Sequence, residues 1–135
     1  MAKKITEIEG IGPAIAEKFA GIGITTVEGL LEKGADPKAR KEIAEGTGLQ
    51  LPKVLTLVNM ADLFRIKGVG SQYAELLQAA GVNTVVELSK RKAENLHKKM
   101  LEINEEKKLT RQAPSDKVVS KWVEEAKELP RVVNY

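Results

Sequence analysis

Two stretches of this chain are copies of one another at an offset of 58 residues. The first reads Ile8-Glu9-Gly10-Ile11-Gly12-Pro13-Ala14-Ile15-Ala16-Glu17, the second Ile66-Lys67-Gly68-Val69-Gly70-Ser71-Gln72-Tyr73-Ala74-Glu75. The same offset pairs Gly23 with Gly81, Thr26 with Thr84, Val27 with Val85 and Leu30 with Leu88. A repeat of this kind is one supersecondary unit used twice, so it constrains the architecture ahead of any single residue. Leu57-Val58 and Ala61 resemble Trp122-Val123 and Ala126 at an offset of 65, so the repetition extends over whole halves. The expected organisation is a single compact domain over 1–135. It holds pseudo-repeats at about 1–63 and 64–130, with 131–135 as a tail.

The apolar spacing is helical almost throughout. A short helix near residues 3–8 leads into the first Gly-x-Gly. Pro13 then takes the first helical position, with φ already set and no N–H to lose. Ile15, Ala16 and Phe19 make that helix's apolar stripe, and Gly21-Ile22-Gly23 stops it. Thr25 and Glu28 have the spacing of a capping box, and Asn83 stands in the equivalent place of the second half. Asp36-Pro37 starts a further helix that ends at Gly46-Thr47-Gly48. Pro52 opens a longer one, apolar nearly all round through Val54, Leu55, Leu57, Val58 and Ala61, as a central bridging helix would be. In the second half, residues 93–107 form a long helix with Leu96, Met100, Leu101 and Ile103 on its apolar side. Ser115 caps a last helix carrying Val118, Val119, Trp122, Val123, Ala126 and Leu129. No strand pattern survives, so the expected fold is all-α, in two pseudo-symmetric halves sharing one core.

Composition removes several functions. There is no Cys, and His97 is the one His, so thiolate and His-rich metal sites have no ligands. No Ser/His/Asp set and no Gly-rich Lys loop is discernible, so a non-enzymatic protein without a cofactor is expected. No run approaches a membrane span. The start, Met1-Ala2-Lys3-Lys4-Ile5-Thr6-Glu7, turns acidic where a signal peptide is apolar, and a cytoplasmic protein with no membrane partner is expected. The net charge of +3 is unevenly spread. Residues 1–50 hold seven Lys/Arg against eight Asp/Glu, while residues 91–135 hold eleven against eight.

The Gly-x-Gly turns carry the chemistry. Two helices meeting at a tight angle need φ values that β-carbons disfavour, and Gly supplies them. The residue between, Ile11 or Val69, points inward and pins the turn. The first N–H groups of the following helix have no internal partners and, with the helix dipole, suit an oxyanion.

The pattern Ile5-x-x-Ile8-x-Gly10-Ile11-Gly12-x-x-x-Ala16-x-x-Phe19 resembles the helix-hairpin-helix motif. Leu63-x-x-Ile66-x-Gly68-Val69-Gly70-x-x-x-Ala74-x-x-Leu77 fits it equally well. Residues 8–30 are similar to the hairpin of DNA polymerase beta-like enzymes. Taken whole, the chain is identified as a member of the DUF4332 family, small bacterial proteins of tandem helix-hairpin-helix type with no established function. The likeness reaches the ending Glu128-Leu129-Pro130-Arg131-Val132-Val133.

The hairpin resemblance implies sequence-independent binding of duplex DNA through backbone N–H groups. By motif position the donors belong to Gly68, Gly70, Gln72 and Tyr73, and to Gly10, Gly12, Ala14 and Ile15. It also implies a monovalent cation on the carbonyls of Phe64, Ile66 and Val69, or of Thr6, Ile8 and Ile11. Glu7, Glu9 and Glu17 flank the first turn and would repel phosphate, whereas Arg65 and Lys67 flank the second, which is therefore favoured. Lys90-Arg91-Lys92, Lys98-Lys99 and Lys107-Lys108 with Arg111 could line a backbone track beside it. Interleaved glutamates favour a solvated helix face over such a track for any one of these clusters. Trp122 reads as core and Tyr73 as packing under the hairpin. Aromatics are too few for a single-strand stacking platform. The rival to DNA binding is a protein–protein adaptor whose hairpins are purely structural.

Overall fold

A computed structural model describes residues 3–135. Among them are eight α-helices, a single 3-10 turn and no strand. Lys4 and Thr26 make an isolated antiparallel bridge. No helix among the described residues is long and apolar enough to cross a membrane. The chain divides into two compact units, one running up to Asp62 and taking in Val132–Tyr135, the other Leu63–Arg131.

In the first unit the expected opening helix is only the 3-10 turn Ile5–Glu7. The turn stops because Ile8 is already extended, with φ of −76° and ψ of 128°, and at its start Ile5 N–H donates to the Thr25 carbonyl at 3.1 Å. Helix α1, Pro13–Ala20, buries Phe19 completely. Helix α2 is Val27–Lys33 and α3 is Pro37–Thr47. The capping box expected at Thr25 and Glu28 is displaced by one residue. Thr26 is the cap, accepting from Gly29 N–H at 2.9 Å, and Glu28 instead accepts from Lys3 N–H at 3.0 Å. Asp36 caps α3 as its Asp-Pro signal demands, accepting from Ala39 N–H at 3.0 Å. Gly48, with φ of 77°, ends that helix.

Helix α4, Leu51–Leu63, buries Val54, Leu57, Val58, Met60, Ala61 and Leu63. Val133 is buried, and Asn134 N–H donates to the Ala35 carbonyl at 2.8 Å. Of the residues expected as a tail, Arg131 belongs to the second unit and 132–135 to the first. Arg40, 4% exposed, holds them there by donating to the carbonyls of Gly34 at 2.8 Å and Asn134 at 2.6 Å.

The second unit contains α5, Ser71–Ala79, α6, Val85–Ser89, α7, Ala93–Lys107, and α8, Asp116–Glu128. Helix α8 packs on α6 and α7, and α7 packs on α5. The α6 cap is again one residue later than the spacing to Asn83 suggests. Thr84 accepts from Glu87 N–H at 3.3 Å, and the two side chains also bond to each other. Ser115 caps α8, accepting from Val118 N–H at 3.3 Å. Trp122, Val119, Val123 and Ala126 are buried as their spacing predicts, but Leu101 and Val118 are exposed.

Candidate functional site

Both glycine turns have the same backbone. Gly10 and Gly68 take φ of 97° and 90°, the left-handed region that requires glycine. Ile11 and Val69 are buried behind them, and each donates its N–H to the carbonyl three residues back, Ile8 or Ile66, at 3.1 Å. Gly12 and Gly70 are extended caps of α1 and α5. The first helical hydrogen bonds run from Ala16 N–H to Gly12 at 2.9 Å and from Ala74 N–H to Gly70 at 2.8 Å. The N–H groups of Ala14 and Ile15, and of Gln72 and Tyr73, therefore precede the first helical bond in their helices.

The two glycines of each turn are glycine for different reasons. Gly12 and Gly70 have φ of −87° and −111°, which any residue adopts. A β-carbon on either would meet nothing within 4 Å. Neither conformation nor internal crowding demands glycine there. What the missing side chain provides is an unobstructed approach from outside to the start of the helix.

The surroundings of the two turns differ. At the first, the Lys53 ammonium from α4 lies 3.2 Å from the position a β-carbon on Gly10 would take, while Glu7, Glu9 and Glu17 are exposed around it. At the second, Lys67 is exposed and Arg65 is half-buried, with Nη2 shielded from solvent. Gln72, second residue of α5, lines a cavity of about 490 Å³ with Asn104, Lys108, Thr110 and Arg111. That loop is braced by Thr110 N–H donating to Asn104 Oδ1 at 2.9 Å, and Lys108 takes a left-handed φ of 52° to leave α7. Of the basic clusters, this one is beside the turn. Arg91 donates to the Ala80 carbonyl at 3.3 Å at the far end of α5, and Lys98 and Lys99 are exposed on α7. On another side of the turn, Glu125 accepts from Lys67 N–H with both oxygens at 3.3 Å. Tyr73 and Trp122 pair with centroids 5.3 Å apart.

Of the carbonyls singled out for a cation, those of Ile8 and Ile66 already accept the Ile11 and Val69 N–H groups, leaving one lone pair each. Lys53, Glu125 and the placement of Trp122 were missed by reading the turns alone. The offset of 65 held the missing signal: it pairs Leu57, 4.0 Å from the Gly10 β-position, with Trp122, whose Nε1 lies 3.6 Å from that of Gly68. Glu125 follows Trp122 by three residues and so shares its helix face.

These features define an all-α protein with two matched glycine turns, each opening a helix whose cap glycine has open space where a side chain would stand. The chain belongs to the DUF4332 family, a domain of unknown function, which it matches over residues 9–129. No curated protein and no solved structure matches it.

Proposed function

We propose that this protein is a non-enzymatic module of tandem helix-hairpin-helix type that binds duplex DNA without sequence specificity, chiefly through its second glycine turn. The observation that carries this reading is the bare second glycine of each turn, kept where neither φ nor internal space requires it. A phosphate has room to reach the N–H groups of Gly70, Gln72 and Tyr73, where the helix dipole favours an anion. Lys108 and Arg111, sharing a cavity with Gln72, supply the long-range attraction, and exposed Lys67 adds to it. Leu63–Arg131 holds fourteen Lys/Arg against ten Asp/Glu, a net +4, whereas the other unit holds eight against nine, a net −1. The charge balance supports the second turn over the first.

Affinity for a blunt duplex is to be measured over a range of salt concentrations for the wild type and for Lys108→Glu/Arg111→Glu. Each neutralised phosphate contributes about 0.9 to the slope of log affinity against log salt. The charge-reversed protein is expected to bind more weakly and with a shallower slope. A wild type that binds nothing at low salt, or a variant indistinguishable from it, removes this reading.

One observation favours the adaptor alternative. In the first unit, Leu51 and Tyr135 are exposed and share an apolar depression with Pro37, Pro52 and Leu55. A protein that binds no DNA but loses a partner on Leu51→Asp would be such an adaptor.

A further inference from the structure

We propose that the groove beside the second turn receives an unpaired nucleobase, from a strand whose phosphate lies at the start of α5. This inference rests on the DNA-binding reading and states what that site selects. The groove is a cavity of about 490 Å³ bounded by Lys67 and Gly68, the 112–115 loop and α8. Tyr73 stands in it half-buried, its hydroxyl donating to the Gln112 carbonyl at 3.1 Å and its ring tilted 57° against Trp122. Val118, 37% exposed, adds apolar surface, and Lys67 and Lys121 are exposed lining residues.

The carboxylate is what separates a base from a phosphate here. Glu125 lines the groove beside the Lys67 N–H and repels any anion brought into it. The same carboxylate has lone pairs left for the N–H donors on a base edge, as acidic side chains accept from cytosine N4. Trp122 is 3% exposed, and its Nε1 lies 3.6 Å from the missing β-carbon of Gly68. The bare glycine leaves that indole N–H room for a base acceptor. An uncharged π-face with edge donors and acceptors therefore matches the groove, and lysines at the same groove suit the adjoining phosphates. A base inside an intact duplex cannot reach it, so the site selects unpaired ends, gaps or single strands.

The test uses three duplexes: blunt, with a short single-stranded overhang, and with the same overhang made abasic. The abasic strand keeps the phosphates and removes only the bases. Trp122, the single tryptophan of the chain, reports occupancy through its fluorescence. The base-bearing overhang is expected to bind about fivefold or more tighter than the abasic one, the low end for one stacked base. It alone shifts Trp122 emission, and Glu125→Gln narrows the ratio between the two. Equal affinity for base-bearing and abasic overhangs, with salt-dependent binding of both, overturns the base site and leaves the DNA reading intact. Glu125→Gln strengthening both overhangs equally also overturns it, since Glu125 then acts only by repulsion. Failure of all three duplexes to bind overturns both readings.

Discussion

Gly34 and Gly70 are both glycines at helix boundaries, yet opposite consequences are expected from replacing them. A β-carbon on Gly34 would stand 2.5 Å from Val58 Cγ2 and 3.0 Å from the Leu30 carbonyl, so α2 and α4 approach each other through the space it leaves. Gly34→Ala is expected to cost about 1–3 kcal/mol by overpacking, read as a lower urea midpoint with an unchanged slope. Gly70→Ser meets no neighbour and provides a better helix cap, so stability should hold or rise by a few tenths of a kcal/mol. The new hydroxyl takes the Gln72 or Tyr73 N–H and the new β-carbon blocks approach, so duplex affinity should fall. Unchanged affinity in a folded Gly70→Ser protein would remove the second turn from the interface. The opening glycine of each turn was legible in the sequence, because Gly-x-Gly before a helix signals a positive φ. The reason for the closing glycine was not, because only the empty space around it shows that nothing inside the protein needs it.

Among the elements, caps and stripes were read more securely than their exact register. Asp36-Pro37 and Ser115 fall where the sequence puts them, since each is a distinctive start residue, whereas the 93–107 helix is placed by its apolar spacing alone, starting after Lys92 with no side-chain cap. The caps of α2 and α6 were read one residue early in both halves. The first-half sequence Thr25-Thr26 offers two hydroxyls, and the glutamate spacing selects the wrong one because Glu28 is engaged by Lys3 N–H instead. The two caps also differ in strength on structural grounds. Thr84 has a reciprocal partner in Glu87, whereas Thr26 faces Gly29 at the same position. Thr84→Ala should therefore cost about 1–2 kcal/mol and Thr26→Ala nearer 1 kcal/mol, compared by thermal unfolding under identical conditions. Leu101 and Val118 satisfy the helical period and are still exposed. Periodicity defines a face but not its width, and the edge of an apolar stripe is decided by what packs against it.

At the scale of the molecule, the sequence showed duplication plainly and long-range neighbours poorly. The copies at offset 58 share dihedrals and hydrogen bonds almost residue for residue. Glu125, however, is 58 residues from Lys67 along the chain and meets it only because α8 is packed on α6 and α7. Arg40 and Asn134 are 94 residues apart, yet the Arg40 side chain donates to the Asn134 carbonyl at 2.6 Å. No local pattern announces either contact. The last four residues offer the clearest test of this. Val133 is buried, Asn134 donates to Ala35 and accepts from Arg40, and Arg40 is 4% exposed. Deleting residues 132–135 removes roughly 1.5–3 kcal/mol of valine burial and leaves a buried charge with one of its two carbonyl acceptors missing. The net loss should reach about 3 kcal/mol. Native-state hydrogen exchange is the suitable measurement, because stability is read element by element. Faster exchange should concentrate in α3 and at the end of α2, around Arg40 and Gly34. Arg40→Met in the undeleted chain should reproduce part of that pattern, since it removes the tie and keeps Val133. Protection that stays unchanged after the deletion would mean that the segment rests on the unit without stabilising it.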